Sequence, residues 1–328
     1  METKSNLKNI LQTAYHIFNN QLGKLIFRTA YPPSKSELKK FIYFLNKKHP
    51  EIEVKLLDIG ARGGIGHSHE TLLKLNNLWL EGIEPDKKEA KALESSYDYG
   101  NYKKVHAIAL SNKTGIKNLY VTQGIGCTSL YEPNMEILKY FTFSPRFEVK
   151  KIEKIKTETL DTLYFGKKDF SFIKMDVQGS EYDIIESGEK IIKNLIGLSL
   201  EAHFFEFYKG QKLFSDIHDL LSKNNFMLIR IDLRSIDGLA GEASNCVYIK
   251  NHALIKTKEQ LLKHILFALL WNKKDYAEFL LRNYGKKFLN FSEREEIINQ
   301  LKIVLRKKEN PLKFAYDGAA FKYKKNFL

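Results

Sequence analysis

Short apolar runs alternate with helical segments through the middle of the chain, and this alternation constrains the fold more than any other feature. Each run is brief and almost continuous, as a strand buried on both faces requires. The runs span residues 54–60, 78–85, 104–110, 170–177 and 196–204, with helical segments near 86–96 and 181–193. Strands that alternate with helices form parallel sheets. The sequence therefore predicts an α/β fold, with a Rossmann-like sheet covered by helices on both faces.

Two further segments are expected to complete this sheet and to cover the site. Residues 226–233 and 245–250 are strand candidates, joined by a loop that contains Gly238 and Gly241, and we expect them to close the sheet as a hairpin. Residues 118–163 form a less regular insert. Long irregular segments inside a compact domain usually serve function, so we expect this insert to mix strand and loop over the mouth of the site.

Helical periodicity marks both ends of the chain. Two sets of apolar residues recur at helical spacing, Leu7, Ile10, Leu11, Ala14, Ile17 and Phe18, and then Leu38, Phe41, Ile42 and Leu45. Beyond the sheet, Thr257 with Gln260 and Ser292 with Glu295 predict two capping boxes. We therefore predict an N-terminal helical segment at 1–50, a Rossmann-like catalytic domain at 51–251 and a C-terminal helical extension at 252–328.

Charge and cysteine content bear on the partners and the compartment. The chain carries 53 Lys and Arg against 39 Asp and Glu, a formal net charge of +14. Because the lysines are spread along the chain, this charge favours a solvated surface over a dedicated polyanion site. Nucleic acid binding thus has no strong support, while a peripheral membrane contact and an oligomer stay open. Two cysteines without metal spacing, no signal-peptide pattern and no long apolar run predict a cytoplasmic protein.

A glycine-rich loop follows the first buried run directly. It reads DIGARGGIG (58–66) and includes Asp58, Gly60, Arg62 and Gly64. Glycine permits positive φ and close approach of a ligand to the backbone, and the N-terminus of a following helix presents free N–H groups. Glu84 ends the next strand, where a carboxylate accepts hydrogen bonds from ribose hydroxyls. Together they predict a nucleoside-containing ligand.

NAD and S-adenosylmethionine compete for this architecture. The loop lacks the G-x-G-x-x-G pattern that lets backbone approach a pyrophosphate. Asp58 at the strand end would repel a pyrophosphate but suits the amino group of a methionine moiety. We therefore prefer S-adenosylmethionine as the cofactor.

A second cluster of chemical groups lies at the end of the run at 170–177. Lys174, Asp176 and Glu181 are expected at the carboxyl end of a central strand and in the turn after it, with Gly179 allowing a tight exit. Open α/β sheets bind their ligands at this edge. The alternative is that Asp176 and Glu181 only offset the dipole of the next helix.

These motifs together resemble the FkbM-type S-adenosylmethionine-dependent methyltransferase family. The matching elements are DIGAR (58–62), Glu84 with Pro85, TLD (159–161), IKMDVQGSE (173–181) and Glu201, and the resemblance covers roughly 54–233. It implies a class I methyltransferase sheet and O-methylation of sugars or natural products. It implies donor contacts for Asp58, Gly60 and Glu84, and Arg62, Gly64 and Asp161 are further candidates for donor binding. The chain departs from the family at Arg62, often Asn, at Gln178, often Glu, and at Asn225-Phe226, often Gly-Phe.

Methyl transfer to oxygen needs an aligned acceptor and a base for the hydroxyl proton. The catalytic candidates are Lys174, Asp176, Glu181, Glu201 and His203, of which the last four are base candidates. His203 has the ordinary pKa closest to neutrality. As an alternative, Asp176, Glu181 and Glu201 would bind Mg²⁺ and orient two hydroxyls. His67 and His69 are a weaker metal pair, because residues two apart do not share a helix face.

Two other classes of function stay open from the sequence. One is an NAD-dependent oxidoreductase on the same Rossmann fold. The other is a noncatalytic protein that binds nucleic acid or membranes, suggested by the charge and by Lys322, Lys324 and Lys325. For the enzyme, we expect a small-molecule or glycan acceptor as the partner, but the sequence does not identify which hydroxyl is modified.

Overall fold

The computed structural model describes residues 35–95 and 100–301. The helix predicted from Leu7 to Phe18 and the basic residues at 322–325 lie outside the described residues. Strands, in chain order, are β1 Val54–Ile59, β2 Leu78–Ile83, β3 Lys104–His106, β4 Ala109–Leu110, β5 Gly115–Thr122, β6 Val149–Glu158, β7 Phe172–Met175, β8 Gly197–His203, β9 Phe226–Ile236 and β10 Leu239–Lys250.

The helices of the described residues surround these strands. They are α1 Lys35–Lys48, α2 Gly66–His69, α3 Lys87–Ser95, α4 Met135–Leu138, α5 Leu160–Tyr164, α6 Glu181–Glu186, α7 Glu189–Asn194, α8 Phe214–Lys223, α9 Lys258–Leu270, α10 Lys274–Phe288 and α11 Phe291–Leu301. Short 3-10 helices span Glu70–Lys74, Ile125–Cys127, Ser144–Phe147 and His252–Leu254. None of the helices in the described ranges is both long and apolar enough to cross a bilayer.

Seven strands form the main sheet in the order β3-β2-β1-β7-β8-β10-β9. The first five are parallel, and β9 and β10 close the sheet as an antiparallel hairpin. Strand order reverses between β1 and β7, and ligands bind at such switch points beyond the carboxyl ends of the strands. The predicted α/β fold and the closing hairpin are confirmed.

The sheet is covered on both faces because its strands alternate side chains between two cores. Val54 and Leu56 of β1 point into a core formed with α1, α3 and α9 to α11, whereas Leu57 and Ile59 point into a core formed with α5 to α8. Gly197 lets α9 lie close to β8, since a Cβ there would be 2.5 Å from Phe267. The helices at both ends of the described chain thus share one core with the sheet, while the predicted domain boundaries stay predictions.

Three local predictions need correction. The run at 104–110 is divided between β3 and β4, which belong to different sheets. The helix expected at 181–193 breaks at Gly188, where a Cβ would lie 2.5 Å from Leu160. The final capping box is formed by Asn290 and Glu293, whose side chains and backbone N–H groups bond reciprocally, and the box predicted at Ser292 and Glu295 is wrong. The Thr257 cap is confirmed, with its hydroxyl accepting from the N–H of Gln260 at 3.1 Å.

The insert at 118–163 supplies most of a second sheet. Strands β5 and β6 form a long antiparallel ribbon, and β4 pairs with β6 in parallel. An aromatic cluster packs the loop between the two long strands against the segment after β8, and it includes Phe143, Phe147, Phe207 and Tyr208. The Ser129 hydroxyl donates to the backbone oxygen of Gln178 at 2.6 Å, so the insert contacts the turn after β7, as its predicted place over the site requires.

Candidate active site

The glycine loop after β1 lies directly against the turn after β7. Gly60 has φ of +76°, and a Cβ on this residue would be 1.9 Å from the backbone oxygen of Asp176. The Asp176 N–H in turn donates to the oxygen of Ile59 at 2.9 Å. Both the backbone conformation and the lack of space therefore require glycine here. This contact brings the predicted donor loop and the predicted catalytic turn together.

Glu84 lies at the carboxyl end of β2, beside this loop. It follows Ile83, which pairs with Ile59 in β1, and Glu84 is 4% exposed. Its Oε1 accepts from the N–H of Asp86 at 2.9 Å and lies 3.4 Å from the Arg62 guanidinium. Burial raises the pKa of Glu84, and the Asp86 N–H and the Arg62 guanidinium offset part of this rise. Arg62 also pairs with Asp86 at 3.1 Å, so it holds the acidic end of β2 against the glycine loop.

Gly64 shapes the middle of the loop. Its φ is +87°, and its N–H donates to the oxygen of Ala61 at 2.9 Å. This tight turn directs the chain into α2. Gly60, Arg62, Gly64 and Glu84 therefore lie together at the carboxyl ends of β1 and β2, and their contacts with a donor stay predictions.

Asp58 and Lys174 form an ion pair beneath the loop. Asp58 is fully buried, and its two oxygens lie 2.7 Å from the Lys174 ammonium and 2.5 Å from the Tyr102 hydroxyl. Burial works against the charge of Lys174, but Asp58 and Asp176 outweigh it and raise the pKa of this lysine. Both oxygens of Asp58 are thus engaged within the protein. Its predicted direct contact with the donor stays a prediction, and the catalytic candidate Lys174 lies where it positions Asp58.

Asp176 and Glu201 are joined through the side chain of Gln178. The amide nitrogen of Gln178 lies 2.8 Å from Oδ1 of Asp176 and 2.9 Å from Oε2 of Glu201. Asp176 is exposed and Glu201 is half-buried. Burial, with Asp176 and Glu242 nearby, raises the pKa of Glu201 to about 9, so this carboxyl holds its proton at neutral pH.

Glu181 stabilises the turn that carries these groups. Its two oxygens accept from the N–H groups of Val177 at 3.1 Å and Gly179 at 2.9 Å, and the residue is 3% exposed. Burial raises the pKa of Glu181 to about 7 against these hydrogen bonds. With both oxygens directed at backbone, Glu181 is placed to hold the turn, and its predicted roles as base or metal ligand stay predictions.

His203 is buried at the end of β8. The Tyr208 N–H donates to Oε1 of Gln211, which fixes the amide so that its nitrogen donates to Nδ1 of His203 at 2.9 Å. Because Nδ1 accepts, the neutral ring carries its proton on Nε2. Burial lowers the pKa of His203 to about 4. The basic lone pair of this histidine is therefore directed at Gln211, which disfavours the predicted role as base.

Among the described residues, Glu201, His203 and Glu242 could place metal-ligating atoms within 4.8 Å of one another. Two features argue against a cation there. The ligating atom would be Nε2 of His203, which carries a proton in this arrangement, and Glu242 already pairs with Arg234. The predicted set of Asp176, Glu181 and Glu201 also fits poorly, since backbone N–H groups occupy Glu181 and an amide lies between the other two.

Asp161 contacts a different part of the fold. Its carboxylate oxygens accept from the N–H groups of Lys190 and Ile191, each at 3.1 Å, at the start of α7. This is a helix N-cap supplied by a residue distant in sequence. The two histidines that follow the glycine loop also separate, since His67 is exposed and His69 is buried against Ser199.

Several residues of the site carried no signal in the sequence. Tyr102, Glu242 and Arg234 come from a loop and from the closing hairpin, and they meet the predicted residues only through the topology of the sheet. Gln178 was noticed only as a departure from the family resemblance. Its positive φ of 57° and its amide contacts are visible only in the structure.

Comparison with known proteins identifies the family of this chain. The methyltransferase FkbM domain family matches residues 58–228. The comparison with curated proteins found no match. Similar solved structures include magnesium protoporphyrin IX methyltransferase from Synechocystis PCC 6803 with bound SAM, at 11% identity over 64% of this chain and 76% of that chain, TM-score 0.33. Human methyltransferase-like protein 13 with SAH is 12% identical over 72% and 90%, TM-score 0.34.

Proposed function

Because the chain belongs to the FkbM methyltransferase domain family, we propose that it transfers the methyl group of S-adenosylmethionine to a hydroxyl oxygen of a sugar, a glycan precursor or a related small molecule. The observation that carries this proposal is the backbone contact between Gly60 and Asp176. A donor bound over the glycine loop, with its ribose at Glu84, is thereby held next to the turn that carries the acceptor-side carboxylates. Transfer in line requires this closeness.

Asp176 is the proposed general base. The other base candidates are engaged: Glu181 with backbone N–H groups and His203 with Gln211. Glu201 keeps its proton at neutral pH, since its pKa is raised to about 9. Asp176 is exposed at the carboxyl edge of the sheet, where an acceptor hydroxyl reaches it. As this oxygen attacks the methyl carbon, Asp176 takes the hydroxyl proton and the donor leaves as S-adenosylhomocysteine.

A hydroxyl-bearing acceptor suits the groups around Asp176. Carboxyl groups and an amide lie side by side at Asp176, Gln178 and Glu201, and such groups exchange hydrogen bonds with neighbouring hydroxyls. The insert contacts this turn through Ser129, which supports a role of the insert in choosing the acceptor. The family resemblance also points to sugars and natural products.

Donor binding is the first test of this function. Isothermal titration should show binding of S-adenosylhomocysteine, and Glu84→Ala should weaken it by about tenfold or more, because hydrogen bonds to a charged group contribute roughly 1.5–3 kcal/mol. Glu70→Ala is the matched control, since Glu70 is an exposed acid after α2. Equal affinity for wild type and Glu84→Ala would contradict the assignment of Glu84, and stabilisation by NADH alone would favour an oxidoreductase.

Transfer is the second test. A labelled methyl group on S-adenosylmethionine should pass to members of a panel of sugars and sugar nucleotides. Asp176→Asn should reduce this transfer by about 10²–10⁴-fold, as expected for loss of a general base, while leaving S-adenosylhomocysteine affinity within about twofold. Full activity of Asp176→Asn would remove Asp176 from the mechanism.

A further inference from the structure

The side chain of Gln178 occupies the space between two acidic side chains of the site. Its single amide nitrogen donates to Asp176 at 2.8 Å and to Glu201 at 2.9 Å. An amide nitrogen carries two protons, so both hydrogen bonds are made at once. These are the distances of N–H···O hydrogen bonds, whereas a Mg²⁺ ion would lie about 2.1 Å from each oxygen.

Other contacts fix Gln178 in this orientation. The Tyr208 hydroxyl lies 3.0 Å from Oε1 of Gln178, on the side of the amide away from Asp176 and Glu201. The backbone oxygen of Gln178 accepts from Ser129 at 2.6 Å, and the residue holds φ of +57°. Positive φ is unfavourable for residues other than glycine, and glutamine is not among the residues that tolerate it best. The surrounding contacts therefore hold Gln178 in place against a local cost, as is common at functional sites.

We propose that the Gln178 carboxamide takes the place of a divalent cation between Asp176 and Glu201, so that the chain aligns these groups for the acceptor without a bound metal. The role in aligning an acceptor rests on the proposed function, whereas the position of the amide between the two acids does not depend on it. Gln178 is a positioning residue: it acts on the acceptor through Asp176 and Glu201.

Protein groups also compensate the remaining acids of the site. Asp58 pairs with Lys174 at 2.7 Å, Glu242 pairs with Arg234, and Glu181 accepts from two backbone N–H groups. A cation is attracted to carboxylates whose charge is not already balanced. Here the charge of these acids is balanced by a lysine, an arginine and backbone N–H groups. An amide at Gln178 fits this pattern, because it also compensates acids without a cation.

Exchange of this one amide for a carboxylate tests the proposal. Gln178→Glu keeps the shape and the backbone demand of the side chain but brings a third acid to Asp176 and Glu201. Hard cations prefer such oxygen sets. Electron paramagnetic resonance titration with Mn²⁺ at neutral pH should therefore show Gln178→Glu binding at least about tenfold more tightly than wild type. Gln123→Glu is the control, since it adds the same charge at an exposed residue of the insert.

Each outcome decides the proposal. Tighter Mn²⁺ binding by Gln178→Glu than by wild type and by Gln123→Glu supports it. The proposal is overturned if wild type binds Mn²⁺ as tightly as Gln178→Glu does. It is also overturned if Gln178→Glu folds but does not bind Mn²⁺. In either case the amide does not fill a cation position. Circular dichroism establishes folding, and Gln178→Met, which also lacks the amide but adds no acid, should bind Mn²⁺ no better than Gln123→Glu. Titration of the same samples with S-adenosylhomocysteine reports on the proposed function separately.

Discussion

Glu81 and Glu201 are both glutamates on strands of the main sheet, yet they lie in opposite surroundings. Glu81, in β2, is 2% exposed and accepts hydrogen bonds from four side chains, those of Trp79, His106, Tyr164 and Lys168. Burial works against its charge, but these donors outweigh burial and lower its pKa to about 2. Glu201 is half-buried among acids, and burial together with Asp176 and Glu242 raises its pKa to about 9.

The comparison shows that burial acts to raise the pKa of both acids, and that hydrogen-bond donors decide whether this effect is outweighed. At Glu81 four donors hold the two carboxylate oxygens, so the charge stabilises the fold. At Glu201 burial raises the pKa first, and the nearby acids Asp176 and Glu242 raise it further, which costs stability and keeps a proton on this carboxyl group. Acids whose pKa is raised by burial together with a charged neighbour are common at functional sites. Glu81 is thus placed to stabilise the fold, whereas Glu201 lies among the residues of the candidate site.

Removal of the Glu81 charge should produce the largest effect. Glu81→Gln leaves the Lys168 ammonium, 2.6 Å away, without its acid, and loss of one partner of a buried pair costs about 3 kcal/mol. Because the folded pKa of Glu81 is below the ordinary value, its contribution is complete above about pH 4.5 and is lost as pH falls toward 2. Urea unfolding should show a gap between wild type and Glu81→Gln at pH 7 that narrows toward pH 3. A gap that does not change with pH would contradict the assigned cause.

How far the sequence predicts these two acids differs as well. Strands β1, β2, β7 and β8 were predicted because parallel strands buried on both faces form continuous apolar runs. Glu81 interrupts one such run, but three of its donors are distant in sequence. His106 lies 25 positions after Glu81, Tyr164 lies 83 positions after it and Lys168 lies 87 positions after it. A pairing at that distance leaves no local pattern. Glu201 was predicted through the motif resemblance, whereas its pKa depends on Glu242, which only the closing hairpin brings near.

Backbone conformation explains one of the departures from the family pattern, at Asn225, but not the one at Gln178. Asn225, where the family often has glycine, has φ of +61° between α8 and β9, and asparagine is among the side chains that tolerate this region best. Gln178 has φ of +57°, which nothing in its sequence context indicates. The sequence therefore predicts where a turn falls, while the side-chain contacts that make an unusual residue useful there require the structure.

Glu201 should show the opposite pH dependence, with a smaller effect. Because its folded pKa lies above the ordinary value, wild type loses stability from Glu201 as pH rises from about 4.5 to about 9. Glu201→Gln removes that loss, so it should unfold like wild type near pH 4.5 and be more stable at pH 8. The gain should be only about 1–2 kcal/mol, because solvent at this partly exposed side chain screens the interactions that raise the pKa. Denaturant unfolding at both pH values measures this. Glu153→Gln, at an exposed position of β6, is the control, and parallel curves for wild type and Glu201→Gln would contradict the raised pKa.

A single hydroxyl around Glu81 should give the smallest effect and the sharpest check on the comparison. Tyr164→Phe removes only the O–H that donates to Glu81 at 3.0 Å and leaves three donors in place. Because three donors still compensate the charge, loss of this one hydrogen bond should cost about 1 kcal/mol at pH 7. In Glu81→Gln the same change should cost less, because the acceptor is no longer charged. A double-mutant cycle by urea unfolding measures the coupling between Tyr164 and Glu81. A coupling of zero would mean that Tyr164 stabilises the fold only through packing, against Phe170 and His106.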